Sequence, residues 1–341
     1  MIFFNSDYMA GAHPEVLEAL IKTNMLKSVG YGFDSYSAEA RSFILKACGL
    51  EDGSVFFLQG GTQTNKTVID RLLSRNDGVL CCESAHINVH EAGAIEADGH
   101  KVIPLRGTDG KLETSAILQY VEEFYRDETN AHMVRPAMVY ISHPTEFGTL
   151  YTHSELEAIS DVCRKFNMPL YIDGARLAYG IAAKGTDVSL HDIAELADIF
   201  YIGGTKCGAL FGEAVVTRHK SMLPRFMSLM KLHGALLAKG RLLGVQFLAL
   251  FKNDLYFQIG RTADRLAEML KEGFLAKGYR LFLDSPTNQQ FFILPNSTID
   301  RLSEKVGFEL WGPRGEKESV VRFVTDWSTT EADVLTLLSL L

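Results

Sequence analysis

The stretch that decides the fold class is Met168-Pro169-Leu170-Tyr171-Ile172-Asp173-Gly174-Ala175-Arg176. Its first five residues are apolar without alternation, which predicts a strand buried on both faces, as in a sheet covered by helices. Six further runs are strand candidates: Val55–Leu58, Gly78–Cys82, Lys101–Leu105, Ala137–Ser142, Ile199–Gly203 and Ala214–Thr217. Helical patterns separate several of them, so the sequence predicts an α/β fold with a mostly parallel seven-stranded sheet and right-handed crossovers.

The helical patterns also indicate how the chain is organised. Thr64–Leu73 and Ser154–Phe166 are predicted helices, and Thr152 with Glu155 has capping-box spacing. A long helix-compatible stretch, Ser221–Leu250, carries no strand signal. An α+β pattern follows, with a helix, three strands and a terminal helix: Phe257–Lys277, Tyr279–Leu283, Gln290–Leu294, Val320–Thr325 and a helix from Thr330. We expect a large domain over 31–249 and a smaller one over 250–341, preceded by segment 1–30.

Composition excludes several classes of protein. The 341 residues are 47% hydrophobic and 22% charged, which argues against a disordered or fibrous chain, and the net charge of −8 argues against nucleic-acid binding. The best apolar run, Leu242–Phe251, is ten residues long, whereas crossing a bilayer takes about 20, so we expect no membrane association. The N-terminus lacks the pattern of a signal peptide. Five cysteines without CxxC spacing support neither a disulfide framework nor a zinc knuckle and predict free thiols in a cytoplasmic protein, and we expect no metal ligands in the site.

Polar residues follow the predicted strands where ligands bind in open α/β sheets. Gly60–Asn65 follows the first strand and opens a helix, where free N–H groups suit a phosphate; a simple strand-to-helix turn is the alternative. His86 follows the second strand and could stack on a planar cofactor, act as a general base, or simply bond within its loop.

Two charged residues follow later strands. Asp173 ends a buried strand and needs a partner, either a protonated pyridine nitrogen or Arg176. Lys206, after Thr205, would be partly desolvated, which lowers the pKa of its amine and favours Schiff-base chemistry, although such a lysine can also be a surface residue. A phosphate turn, a histidine, an aspartate and a lysine, in this order at strand ends, are typical of pyridoxal-phosphate enzymes with the aspartate-aminotransferase-like fold.

The chain resembles the low-specificity L-threonine aldolases, within the β-eliminating lyase group, over nearly its whole length. The matching segments are Asn5-Ser6-Asp7, Tyr31-Gly32, Gly61-Thr62 with Asn65, Glu83–Ile87, Tyr171–Leu177, Thr205-Lys206 and Arg322–Thr325. The resemblance implies the pyridoxal-phosphate-dependent transferase fold (fold type I), cleavage of L-threonine or L-allo-threonine to glycine and an aldehyde, and a homodimer or homotetramer with shared active sites, to which segment 1–30 contributes.

The resemblance also implies roles for individual residues. Lys206 would carry pyridoxal 5'-phosphate covalently, Asp173 would pair with the pyridine nitrogen, and His86 would stack on the ring. The phosphate would be held by Gly61, Thr62 and Thr205. The substrate carboxylate would be bound by Ser6, Arg176 and Arg322, and Arg176 would also contact the cofactor. A guanidinium fork suits a carboxylate.

One segment departs from the family pattern. Many threonine aldolases carry Thr-His-Asn-Gly, whereas this chain has Thr145-Glu146-Phe147-Gly148, with His143 at a different offset. The base for the β-hydroxyl group is therefore left open. The residues are also compatible with a different pyridoxal-phosphate β-eliminating lyase or an aminotransferase, and with a non-catalytic member of the fold. An NAD-dependent dehydrogenase is disfavoured because no GxGxxG opens the first βα unit.

Overall fold

The computed structural model describes residues 1–341, and its elements follow the predicted alternation of strands and helices. The strands are β1 Ile2–Phe3, β2 Ser54–Leu58, β3 Asp77–Cys82, β4 Lys101–Leu105, β5 Gly107–Thr108, β6 Lys111–Leu112, β7 Arg135–Ser142, β8 Leu170–Asp173, β9 Ile199–Gly203, β10 Glu213–Thr217, β11 Arg280–Leu283, β12 Gln289–Pro295, β13 Val306–Gly307, β14 Glu309–Leu310 and β15 Glu318–Val324. The helices are α1 Pro14–Thr23, α2 Ser35–Cys48, α3 Gly61–Leu72, α4 His86–Val89, α5 Ala94–Ala97, α6 Thr114–Arg126, α7 His153–Lys165, α8 Leu177–Ala182, α9 Leu190–Leu196, α10 Phe226–Leu232, α11 Arg241–Lys252, α12 Leu255–Ala276, α13 Asn296–Ser303 and α14 Glu331–Leu340, with a 3-10 turn at Asn130–His132.

The central sheet has seven strands in the order β2-β10-β9-β8-β7-β3-β4. Only β10 runs antiparallel to its neighbours; the other four pairs of strands are parallel. Every residue of β3, β8, β9 and β10 is buried, because helices cover both faces of the sheet. The predicted α/β architecture is confirmed. The carboxyl ends of β3, β7, β8 and β9 meet at one edge, where ligands bind in such sheets.

The capping box of α7 is also present. Thr152 Oγ accepts from the N–H of Glu155 at 3.2 Å, and a carboxylate oxygen of Glu155 accepts from the N–H of Thr152 at 2.8 Å. The two side chains satisfy two backbone donors that the first turn would otherwise leave free.

The long helix-compatible stretch at Ser221–Leu250 is not one helix. It divides into α10 and α11, because Gly234 adopts a left-handed φ of 69° after α10. The N–H of Ala235 bonds to the carbonyl of Met230 at 2.7 Å, and that of Gly234 to the carbonyl of Lys231 at 3.2 Å, which together form a Schellman motif. Apolar periodicity alone did not reveal this stop signal.

The C-terminal part builds a second sheet of order β11-β12-β15-β14 with its own apolar core of 13 buried residues. Helix α12 contributes to both cores, with Ile259 in the large core and Leu270 in the small one. Strand β1 pairs with β13, so the N-terminal segment is tied to the C-terminal part. The domain boundary near residue 250 stays a prediction. None of the helices has the length and apolar content that a membrane span requires.

Candidate active site

A polar cavity of about 290 Å³ lies at the carboxyl ends of the central strands. Only three of the 18 residues that line it are hydrophobic, which is unusual for a cavity and indicates that it binds a polar ligand. Seven of the predicted site residues line it: Gly61, Thr62, His86, Asp173, Arg176, Thr205 and Lys206. Ser6 and Arg322 do not line it in this structure.

Asp173 is held at the end of β8 by three hydrogen bonds. Its Oδ2 accepts from the hydroxyl of Tyr140 at 2.6 Å and from the side-chain amide of Asn65 at 3.0 Å, and its Oδ1 accepts from the N–H of Ala175 at 2.9 Å. An ionised carboxylate can accept about four hydrogen bonds, so one position remains open. The carboxylate is therefore fixed in orientation with acceptor capacity to spare. Tyr140 lies in a predicted strand and its role was missed.

Lys206 lies in the turn after β9 and projects its amine into the cavity. Its Nζ forms no hydrogen bond or salt bridge within the chain. Burial and the nearby positive charge of Arg176 lower the pKa of the Lys206 amine, and three carboxylates oppose this change: Asp7, Asp173 and Glu213. The amine is thus easier to deprotonate than an ordinary lysine, as a nucleophilic lysine requires.

The N-terminus of α3 faces the cavity without a side-chain cap. The N–H groups of Gly61, Thr62 and Gln63 have no partner inside the helix, because the first helical turn leaves them free. A Cβ placed on the preceding residue, Gly60, would meet no atom within 4 Å, so the space beside these donors is open. Free donors at the positive end of a helix suit a phosphate group.

Thr205 lines the cavity, but its hydroxyl already has partners. Thr205 Oγ donates to Glu213 Oε1 at 2.7 Å and accepts from the N–H of Gly212 at 3.0 Å, and the N–H of Gly204 donates to Glu213 Oε2 at 2.9 Å. Burial raises the pKa of Glu213 to about 7, although these hydrogen bonds and the charge of Lys206 work in the opposite direction. A phosphate contact by Thr205 would have to share the hydroxyl with these partners.

His86 is the first residue of α4 and borders the cavity. Its Nδ1 lies 2.8 Å from Glu91 Oε1, which also accepts from the side-chain amide of Asn65 at 2.8 Å. Burial lowers the pKa of His86, but the hydrogen bond to Glu91 and the charge of Asp173 outweigh burial and raise it overall. The contact fixes the ring and its tautomer, since the proton on Nδ1 points to a carboxylate. Glu91 lies in no recognisable sequence motif, so its contact with His86 was not predicted.

Arg176 borders the cavity and pairs with Asp7, not with Asp173. Its Nε and Nη2 donate to the two carboxylate oxygens of Asp7 at 2.7 and 2.9 Å, and Asn288 donates to the same carboxylate at 3.0 Å. Burial raises the pKa of Asp7, but Arg176 and Lys206 outweigh burial and lower it overall. The Nη1 group of Arg176 keeps its donors free. In the matching segment Asn5-Ser6-Asp7, the charged partner is thus Asp7, whereas the buried Ser6 stays a predicted contact.

Arg322 lies on β15 and is 7% exposed. Its guanidinium donates to Gln289 at 3.0 Å, to the carbonyl of Asn5 at 3.3 Å and to the carboxylate of Glu309, and it lies 5.0 Å from the ring centre of Trp311. Its Nε is buried without a partner. These bonds use three of the five N–H donors of the guanidinium, and binding of a substrate carboxylate by Arg322 stays a prediction.

Glu146 lines the cavity in the segment that departs from the family pattern. Its Oε1 accepts from the hydroxyl of Ser142 at 2.7 Å and from the N–H of His86 at 2.9 Å. The neighbouring His143 is fully buried, and its ring does not border the cavity. Burial lowers the pKa of His143 to about 4, so its imidazole is neutral.

Comparison with known proteins shows to which family the chain belongs. The family model described as "Beta-eliminating lyase" matches residues 4–293. The chain is 29% identical over 334 residues to the low specificity L-threonine aldolase of a Pseudomonas species, covering 97% of this chain and 94% of that protein. It is 40% identical to the solved threonine aldolase of Leishmania major, with a TM-score of 0.96 and coverage of 99% and 98%. An aspartate aminotransferase from Thermus thermophilus shares the fold, with a TM-score of 0.71 at 15% identity.

These matches confirm the predicted family and fold. The family match includes every residue that lines the cavity, whereas Arg322 on β15 lies beyond it. The chain belongs to the β-eliminating lyase family and has the α/β fold of the fold-type I enzymes.

Proposed function

We propose that this protein is a pyridoxal-phosphate-dependent aldolase that cleaves L-threonine and L-allo-threonine to glycine and acetaldehyde. One observation carries the proposal: the same polar cavity is lined by a lysine whose amine has no partner, Lys206, and by a carboxylate held in a fixed orientation, Asp173. The names of the relatives from Pseudomonas and Leishmania support the choice of reaction.

The residues of the cavity fit pyridoxal 5'-phosphate. The free N–H groups of Gly61 and Thr62 and the open space beside Gly60 suit the phosphate, with Thr205 next to them. The free amine of Lys206 suits the aldehyde carbon. The open acceptor position of Asp173 suits a protonated ring nitrogen, and His86 borders the space where a ring would lie. Bound in this way, the cofactor supplies an electron sink for the charge that develops at the substrate Cα.

Three groups of the chain then have distinct tasks. Asp173 holds a proton at the pyridine nitrogen, because an ionised carboxylate in a buried position favours a charged partner. Lys206 would hold the cofactor through its amine, and the lowered pKa of that amine favours the neutral, nucleophilic form. His86, fixed by Glu91, limits the orientation of the ring.

The substrate carboxylate is bound by Arg176 in this proposal. Asp7 holds two nitrogens of its guanidinium, which leaves Nη1 available to a ligand at little cost in side-chain entropy. Ser6 and Arg322 are proposed as further contacts to the same carboxylate. Fixing the carboxylate orients the Cα–Cβ bond relative to the cofactor ring, and this orientation selects which bond at Cα breaks.

We also propose that the enzyme is a cytoplasmic homodimer or homotetramer with shared active sites. Exposed apolar side chains in the N-terminal part support association: Ile21 (66%), Met25 (86%), Val29 (66%) and Phe33 (66%). The five free, buried cysteines agree with a reducing compartment. Analytical ultracentrifugation tests the assembly: sedimentation as a monomer at micromolar concentration would contradict it.

Product analysis tests the reaction. Purified protein supplied with pyridoxal 5'-phosphate and L-threonine should release acetaldehyde and glycine in equal amounts, and a Lys206→Ala variant should not. Release of a keto acid instead would indicate another β-eliminating lyase or an aminotransferase. Absence of any product from L-threonine and L-allo-threonine would refute the proposed function.

A further inference from the structure

The carboxyl group of Glu146 is held by one oxygen and free at the other. Oε1 accepts from Ser142 and from the N–H of His86, at 2.7 and 2.9 Å. Oε2 makes no hydrogen bond to another residue, and it is not among the fully buried polar atoms that lack a partner. Glu146 lines the cavity together with Lys206 and Arg176, so Oε2 is the carboxylate oxygen of Glu146 that is available to a substrate there.

The other carboxylates near the cavity are committed to the protein. Both oxygens of Glu213 are bonded, one to a hydroxyl and one to a backbone N–H. Glu91 binds the ring of a histidine and its second oxygen is buried. Asp173 accepts three hydrogen bonds and faces the ring nitrogen in the proposed function. Glu146 is the carboxylate with a free, accessible oxygen in the cavity.

Two histidines are less suited to remove a proton from a substrate. His143 is buried away from the cavity. His86 borders the cavity with Nδ1 on Glu91, and its raised pKa favours the protonated ring, which donates protons instead of accepting them.

The surroundings of Glu146 adjust its basicity. Burial raises the pKa of Glu146, and the negative charge of Asp173 adds to this effect. The hydrogen bonds from Ser142, from the N–H of Glu146 itself and from the N–H of His86 lower it, but the pKa stays above the ordinary value. A carboxylate of raised pKa is a stronger base while it is still ionised near neutral pH.

We propose that Glu146 is the general base that removes the β-hydroxyl proton, an inference that rests on the proposed aldol cleavage. The O–H proton passes to Glu146 Oε2, and the electron pair of that bond becomes the second bond of the aldehyde carbonyl. The Cα–Cβ bond breaks and its electron pair remains with Cα. After the aldehyde leaves, Glu146 returns the proton to solvent and Cα gains a proton, which yields glycine.

Glu146→Gln is the decisive variant, because glutamine keeps the size and the acceptor oxygen that Ser142 and His86 use. Cleavage of L-threonine should fall at least ~100-fold, the smallest effect usual for loss of a general base. Exchange of the α-proton of glycine in deuterated water should stay within about threefold of the parent protein, because glycine has no hydroxyl group. Glu146→Asp should recover part of the cleavage rate.

Two further readouts separate a chemical role from a structural one. Ser142→Ala removes one donor to Oε1, so the acid limb of the pH–rate profile for cleavage should move to higher pH. In protein free of cofactor, difference infrared spectra should show a carboxyl group that titrates in the parent and is missing from Glu146→Gln.

Two results would overturn the role of Glu146. Parallel loss of cleavage and glycine exchange in Glu146→Gln would show that the residue supports the structure only, and an unchanged cleavage rate would show that another group takes the proton. Failure of the parent protein to cleave threonine would instead refute the proposed function, independently of Glu146.

Discussion

Replacing Asp173 by asparagine removes a charge while keeping the shape of the side chain. The carboxylate accepts from three donors, on Tyr140, Asn65 and the backbone of Ala175. If the amide oxygen of the variant faces Tyr140 and Asn65, its NH2 group faces the N–H of Ala175, and this partly buried donor loses its acceptor. Such a loss costs about 1–3 kcal/mol, so the free energy of unfolding should fall by that amount.

The effect of Asp173→Asn on turnover should be larger and has a different cause. Without the negative charge the pyridine nitrogen is less basic, and a drop of about two pKa units corresponds to ~2.7 kcal/mol, or ~100-fold in rate. Tyr140→Phe is the matched control: it removes one neutral donor to Asp173 and keeps the charge, so turnover should stay within about tenfold.

The assay for Asp173→Asn couples acetaldehyde release to NADH oxidation by alcohol dehydrogenase. Cofactor content is measured from visible absorbance after dialysis, and urea titration gives the unfolding free energy. Turnover within threefold of the parent, in a variant that retains its cofactor, would refute the proposed role and leave Asp173 as a structural residue.

Substrate binding, pH-dependent stability and thiol reactivity can be tested in the same way. Arg322→Ala should keep the visible absorbance band but raise the threonine concentration at half-saturation about tenfold or more, because a hydrogen bond to a charged group contributes ~1.5–3 kcal/mol. Glu309→Gln retains the guanidinium and should not raise this concentration. Equal half-saturation concentrations in the two variants would show that Arg322 is a structural residue. The raised pKa of His86 stabilises the cofactor-free protein below pH ~6.5, and this contribution is lost as pH rises through the folded-state pKa. In urea titrations between pH ~6 and ~9, the free energy of unfolding should therefore decline, and Glu91→Gln should reduce this decline. An equal decline in the variant would contradict the role of Glu91. All five cysteines are buried, and burial raises the pKa of four of the thiols. Native protein should therefore react with Ellman's reagent far more slowly than protein in urea. A thiol that reacts equally fast in both would contradict its burial.

The fold was predictable because the buried strands are continuous apolar runs whose ends carry the polar residues of the site. Leu170–Asp173 illustrates this: four buried residues end at the carboxylate that faces the cavity. Prediction failed where a local backbone signal decides the structure, as at Gly234, whose left-handed conformation ends α10. The short β5–β6 hairpin was missed because two-residue strands carry no periodicity.

Residues that border the cavity were predictable from the sequence, but the contacts that hold them in place were not, even where the supporting residue lies in a matching segment, as Asn65 and Asp7 do. Glu91, Asn65 and Asp7 hold His86, Asp173 and Arg176 in place, yet they come from helices or loops that are distant in sequence from most of their partners. Such contacts form only when the chain folds, and no spacing along the sequence encodes them. The accessible oxygen of Glu146 became identifiable only once the partners of its other oxygen were located.

The attachment point of the cofactor is the most direct test of the proposed chemistry. Protein reconstituted with pyridoxal 5'-phosphate should show a visible absorbance band that borohydride abolishes, and mass mapping of the reduced protein should locate the adduct on Lys206, the unpaired amine of the cavity. An adduct on a lysine outside the cavity, such as Lys239, or full labelling of a Lys206→Ala variant, would contradict it.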